Sequence, residues 1–178
     1  MSASEQPLPA EVQAALASHF FIRTTFRRRD GRPRTIQTTF VWDGERRIYL
    51  SGYPGKRDWV ASIAANAEVT VDTVESGAWY AIAGEARVLR ERKERMPHLL
   101  AFVEHWAARA RPLRFGLRPA LLALRVNRRL GLPWWGPFYC ARRVLDRMPC
   151  VEVRLVGEPW RRPDGPPRPS EPGHDYPL

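Results

Sequence analysis

A mainly β domain with flanking helices, its six antiparallel strands curled into one small barrel, is the fold class this sequence predicts. Three observations carry that expectation. Apolar residues alternate with a period of two over several short runs, two of the breaks between runs are Asp-Gly pairs, and helical spacing interrupts the strand series at two places. A β-sandwich fits less naturally, because helices break the strand series.

Each element follows from its spacing. Glu11 to Phe21 place Val12, Ala15, Leu16 and then His19 or Phe20 at helical intervals after Pro9, which predicts a short N-terminal helix. From Phe20 to Arg28 the period becomes two, with Phe20, Ile22, Thr24 and Phe26 on one face, and the run ends at Asp30-Gly31. A second strand, "PRTIQTTFVW", puts Ile36, Thr38, Phe40 and Trp42 on one face and ends at Asp43-Gly44; Arg46 to Ser51 is the third. These three form an antiparallel meander. Trp59, Val60, Ile63 and Ala64 then recur at three and four, and Asn66 suits the end of that helix.

Val69 to Val74 and Trp79 to Leu89 are the fourth and fifth strands, joined by Glu75-Ser76-Gly77. Gly84 inside the fifth predicts a bend or bulge. Arg90 to Arg111 is a helix carrying Leu99, Leu100, Phe102, Val103 and Trp106, and Val151 to Val156 is the sixth strand. Residues 1–157 are read as one domain with an insertion over 112–149. In that insertion "RPALLALRVNRRL" reads as a basic amphipathic helix and "GLPWWGPFY" as an aromatic loop. A lid over a site, a segment touching acidic lipid, an Arg-rich face for nucleic acid and a plain packing helix are its competing accounts. Residues 158–178 are rich in proline and offer little to pack, which predicts a flexible or extended tail.

At 178 residues the chain is the size of one domain, able to bury roughly 70% of its unfolded surface. The first twenty residues do not read as a secretory signal and no apolar run nears the ~18 residues of a membrane span, so a cytoplasmic protein is expected. Cys140 and Cys150 have no CxxC spacing and read as reduced, buried thiols. The net charge of +10 favours an anionic partner, and it is almost all arginine, the lysines being Lys56 and Lys93. His98 and His105 are seven apart on one helix, without the spacing of a metal motif, and read as two partly exposed helical histidines.

The segment with most chemical content is "YLSGYPGKRDWVASIAANAEVTV". It is not a nucleoside triphosphate loop, because Gly52 and Gly55 are too close and Arg57 stands where a hydroxyl should be. A helix N-terminus offers unpaired N–H groups and a partial positive charge, and Ser51, Lys56 and Arg57 beside it suit a phosphomonoester. The alternative is a charged turn with Asp58 capping the helix.

The order of "RTIQTT", a DG hairpin and this segment resembles the flavin-binding split-barrel superfamily, which includes pyridoxamine 5′-phosphate oxidases and deazaflavin-dependent reductases. Leu50-Ser51 matches the family's strand end, Lys56-Arg57 its adjacent basic pair and Asn66-Ala67 its Asn-Pro, while "RDWVASIAANAEV" is similar to the Trp-containing helix of the reductases. The resemblance covers about Phe20 to Leu89 and the last strand, and does not reach 112–149.

It implies a six-stranded split barrel of the FMN-binding type in which Ser51, Gly52, Lys56 and Arg57 hold the flavin phosphate. Arg34 would match the basic residue opening the preceding strand, with Thr35, Thr38 and Thr39 toward the ring system; Thr39 stands where the family places a lysine. It further implies a homodimer and an oxidoreductase passing hydride equivalents to a small organic acceptor, with FMN or, alternatively, a deazaflavin coenzyme. Two other readings stay open: a basic nucleic-acid-binding barrel, and a split barrel that binds flavin or haem without turnover.

Overall fold

The computed structural model describes residues 6–170 other than 53, 56, 76, 110–118, 120, 124, 128 and 133–138, and no side chains at 107–109 or 139–141. The elements are α1 (Ala10–Ser18), β1 (Phe21–Arg27), β2 (Pro33–Trp42), β3 (Arg47–Ser51), α2 (Asp58–Ala65), β4 (Glu68–Thr73), β5 (Tyr80–Val88), α3 (Arg92–Arg109), α4 (Tyr139–Arg147), β6 (Cys150–Leu155) and β7 (Trp160–Arg161). The tight turns fold as their residues dictate. Gly31 and Gly44 take φ of +80° and +94°, which side chains rarely adopt. Asp43 Oδ1 accepts the N–H groups of Glu45 and Arg47.

Strand order β4-β1-β2-β3-β6-β5, with β5 pairing back onto β4, closes a six-stranded antiparallel barrel as expected. Alternation sends Ile22, Phe26, Phe40, Ile48, Leu50, Val69, Val71, Ile82, Val151, Val153 and Leu155 into one core. Helix α1 adds Val12 and Leu16 to it, and α2 adds Trp59 and Ile63. A second apolar cluster lies on the outer face of the barrel. There Leu99, Phe102 and Met96 of α3, with Leu145 and Met148, cover Tyr49 of β3 and Cys150 of β6.

Gly84 pairs in unbroken register with Val69 and Leu155, so the expected bulge is absent there. The glycine serves close packing instead. A Cβ on Gly84 would lie 2.7 Å from Val153 Cγ1, 3.2 Å from the Arg154 carbonyl oxygen and 3.3 Å from Val69 Cγ2.

The proline-rich segment is the main correction to the sequence reading. It is extended but packed, because arginines and backbone groups supply the contacts that its apolar content does not. β7 pairs with Tyr80 and Ala81, and the Arg162 N–H donates to the Trp79 carbonyl at 2.8 Å. Gly165, at φ +80°, lies against the Trp79 ring. Arg23 Nη1 donates to the carbonyls of Pro166 and Pro167, and Ser170 takes both backbone groups of Thr35: its N–H donates to the Thr35 carbonyl and its Oγ accepts the Thr35 N–H. Residues 158–170 are thus a strap across β5, β4, β1 and β2.

The strap's polar anchor is Arg162, whose Nε donates to Asp72 Oδ1 at 2.5 Å. Asp72 is fully buried, and its Oδ2 has no hydrogen-bond partner among the described residues. Burial pushes the Asp72 carboxyl above its ordinary range, against the pull of Arg162 and Arg23. The folded state therefore holds this proton more tightly than the unfolded chain. That contribution to stability is complete below the ordinary Asp range and is lost as pH rises through the raised value.

Two outcomes follow from these contacts. Gly84→Ala is expected to destabilise the fold by about 1–3 kcal/mol through overpacking, read as a lower urea midpoint. Arg162→Ala strands the buried carboxylate and is expected to cost about 2–3 kcal/mol near neutral pH, discounted because Arg162 is partly in water. Its deficit against the parent should shrink as pH falls through the raised Asp72 value and the carboxyl takes up its proton; a deficit independent of pH would contradict this account of the strap.

Candidate functional site

The strand-to-helix turn is built from the end of β3. Ser51 is its last residue, opposite Cys150 of β6, and is buried with its Oγ donating to the Pro149 carbonyl at 2.8 Å. The chain leaves at Gly52, where a Cβ would touch the Trp59 ring at 3.8 Å. Gly55, at φ +115°, donates its N–H to the Arg147 carbonyl at 3.0 Å, which ties the turn to the end of α4. Lys56 lies outside the described residues.

Arg57 is the N-cap of α2, with extended φ/ψ of −126° and 123°, and its carbonyl accepts the N–H groups of Val60 and Ala61. No side chain caps this end, and Asp58 is the first helical residue rather than the cap. The turn thus brings a buried hydroxyl, a guanidinium and the positive end of an eight-residue helix into one short stretch.

The β2 residues divide according to register. Phe40 pairs with Leu50, which leaves Thr39 and Ser51 each one residue beyond the last pair of the two strands. Arg34 and Thr35 lie five and four residues further on, about 14–17 Å along an extended strand. The structure therefore groups Ser51, Gly52 and Arg57 with Thr38 and Thr39, and sets Arg34 and Thr35 apart near the β1 hairpin. Thr35 Oγ1 bonds Thr25 Oγ1 at 2.8 Å beneath the strap. Thr39 Oγ1 accepts from Trp106 Nε1 at 3.3 Å. Thr38 Oγ1 is buried without a hydrogen-bond partner among the described residues.

Helix α3 shields the outer face beside this turn. His98 stacks on Tyr49 with ring centroids 3.6 Å apart and planes 14° from parallel, and burial lowers its pKa against the pull of Glu152 and Glu94. His105 stacks on Phe20 at 5.1 Å. Both histidines are partly exposed, as read from the sequence, and among the described residues no three His, Cys, Asp or Glu side chains gather as a metal site. Sequence reasoning missed the link from Trp106 to Thr39; the only signal was that Trp106 follows Phe102 at helical spacing. A cleft of about 470 Å³ lies elsewhere, lined by Gln6, Leu8, Gln13, Glu45 and Arg46 among others, and holds none of the candidate residues.

A closed barrel carrying a basic strand-to-helix turn defines the split-barrel class, and sequence comparison makes this specific. Residues 8–127 match the family model described as pyridoxamine 5′-phosphate oxidase, and the chain belongs to that family. No curated protein matches it in sequence. Among solved structures it is similar to a protein assigned as a pyridoxamine 5′-phosphate oxidase from Listeria innocua, at 14% identity and a TM-score of 0.53 over 85% of this chain and 94% of that one. It is similar to a protein described as an F420 reductase at 17% and 0.51, over 84% and 97%. HutZ, the haem storage protein from Vibrio cholerae, aligns at 11% and 0.54, over 87% and 94%. At these identities the likenesses show the fold.

Cys150, paired with Ser51 across the strands, is fully buried, and burial pushes its thiol up to about 12. It is expected to be inert as a nucleophile. In a Cys140→Ser background, a disulfide reagent at about pH 8 should modify no thiol in the native protein and one after denaturation.

Proposed function

We propose that the chain is a flavin-dependent oxidoreductase that reduces a small organic acceptor, with FMN as its cofactor and a deazaflavin coenzyme as the alternative. The observation that carries this reading is the turn itself, where β3 delivers Ser51 and Gly52 to the N-terminus of α2 with Arg57 at the N-cap. The residues suit a phosphorylated ring system. The buried, unpartnered hydroxyl of Thr38 is a polar group in want of a partner, one strand over from the turn.

In this reading Ser51, Gly52, Lys56 and Arg57 hold the phosphate, Arg57 as a fixed cation and the first N–H groups of α2 as donors. Thr38 offers a hydroxyl to the ring edge, and Arg34 and Thr35 meet the cofactor only at its far end, given their distance along β2. The bound flavin supplies the hydride chemistry, and no protein nucleophile is required. The α3 wall of Tyr49, His98 and Trp106 keeps water from one side of the turn. A homodimer acting in the cytoplasm completes the proposal, supported by the family resemblance and, among the described residues, by no helix long and apolar enough to cross a membrane.

Titration of the purified protein with FMN and with the deazaflavin coenzyme, followed by flavin fluorescence, tests it. One of the two should bind, and Lys56→Ala with Arg57→Ala should weaken that binding by tenfold or more, because each charge-assisted bond is worth about 1.5–3 kcal/mol. Failure of both cofactors to bind, or equal affinity in the double variant, would overturn the reading. A bound cofactor that no acceptor reoxidises would instead identify a carrier.

A further inference from the structure

The excess charge of this protein has an address. Between His105 and Leu145 there are nine arginines and no Asp or Glu, so the rest of the chain carries 20 of the 29 basic residues against all 19 acidic ones, close to neutral. The described part of this region is helical at 121–123 and 125–127. It ends where the Leu132 N–H reaches back to the Asn127 carbonyl around Gly131, at φ +67°.

On that helix Leu122, Val126 and Leu130 recur every four residues, and they are 63%, 45% and 67% exposed. Arg125 and Arg129 follow the same interval and are also exposed. An apolar row and a cationic row therefore run side by side on the outward surface, while Leu121, Ala123 and Asn127 are half-buried. Leu132 and Val144 add further exposed apolar surface. In the sequence Trp134 and Trp135 follow at once, residue types that favour the boundary between water and lipid.

We propose that this segment is a peripheral membrane anchor, seating the Leu122, Val126 and Leu130 row among the headgroups of an anionic bilayer. Leucines in an exposed row match lipid, and arginines beside them match lipid phosphate. Glu104 takes part of the charge of Arg125, through a 3.1 Å contact, and Asp146 lies 3.6 Å from Arg142. Nucleic acid would use the arginines but offers nothing to an exposed Leu and Val row. A second copy docked symmetrically here would set the same arginine-rich surface against itself.

Vesicle co-sedimentation of the full chain tests the assignment independently of any cofactor. Binding to phosphatidylcholine vesicles with about 30% phosphatidylglycerol should exceed binding to pure phosphatidylcholine by at least about tenfold, and should fall as salt rises from about 50 to about 300 mM. Leu122→Ser with Val126→Ser and Leu130→Ser alters only exposed positions, and should lower binding to the anionic vesicles about tenfold with an unchanged circular dichroism spectrum. Arg125→Gln with Arg129→Gln should weaken it as well. Absence of vesicle binding overturns the proposal, as does binding indifferent to the triple serine variant. A triple variant that turns a dimer into a monomer assigns the face to a second copy, and oligonucleotide binding that survives the triple variant while vesicle binding is absent assigns it to nucleic acid.

Discussion

The structure depends on one strand having two partners. β2 pairs with β1 over Pro33 to Thr39 and with β3 only over Phe40 to Trp42. Ten residues of continuous strand therefore bridge two parts of the barrel wall, and among the described residues no strand pairs with the β3-facing edge of the first part. Backbone groups left this way need other partners. Ser170 supplies them at Thr35, while Trp106 covers the side chain of Thr39. The candidate turn sits where the two pairings meet, because Ser51 is the first β3 residue beyond the last pair with β2.

This arrangement separates two jobs that usually compete. The barrel core is apolar and closed from α1 and α2, so it does not need the turn for stability. The turn is held from outside by backbone and hydroxyl contacts: Ser51 to the Pro149 carbonyl, Gly55 to the Arg147 carbonyl. Those contacts fix the turn ahead of α2 without drawing on the core, in keeping with sites placed on rigid elements at loop ends.

What the sequence made legible was local. Period-two runs and the Asp-Gly turns located the six barrel strands to within a residue or two, and the Ser51 to Arg57 cluster was visible because its members are neighbours in the chain. Contacts between residues far apart were not legible. Asp72 carries no signal of its own within the Val69 to Val74 run; its bond to Arg162, 90 residues on, ties it to the strap. The strap itself looked unpackable because its prolines give no periodicity, whereas its contacts run through carbonyls and arginines. Arg34 and Thr35 are close to Thr38 and Thr39 in sequence, yet an extended strand carries them away from Ser51, a separation that register decides and composition does not.

The bond between Arg162 and Asp72 also makes the strap a layer of its own. The six strands that close the barrel pair with one another without residues 158–170, and those residues lie over Asp72 and Trp79. Docking of the strap is then the step that buries the Asp72 carboxyl. Because that step adds to a wall already formed, its opening and closing can be a local equilibrium rather than part of global unfolding. A molecule with its strap undocked would thus keep a closed barrel whose outer wall displays an acidic spot that the docked strap hides.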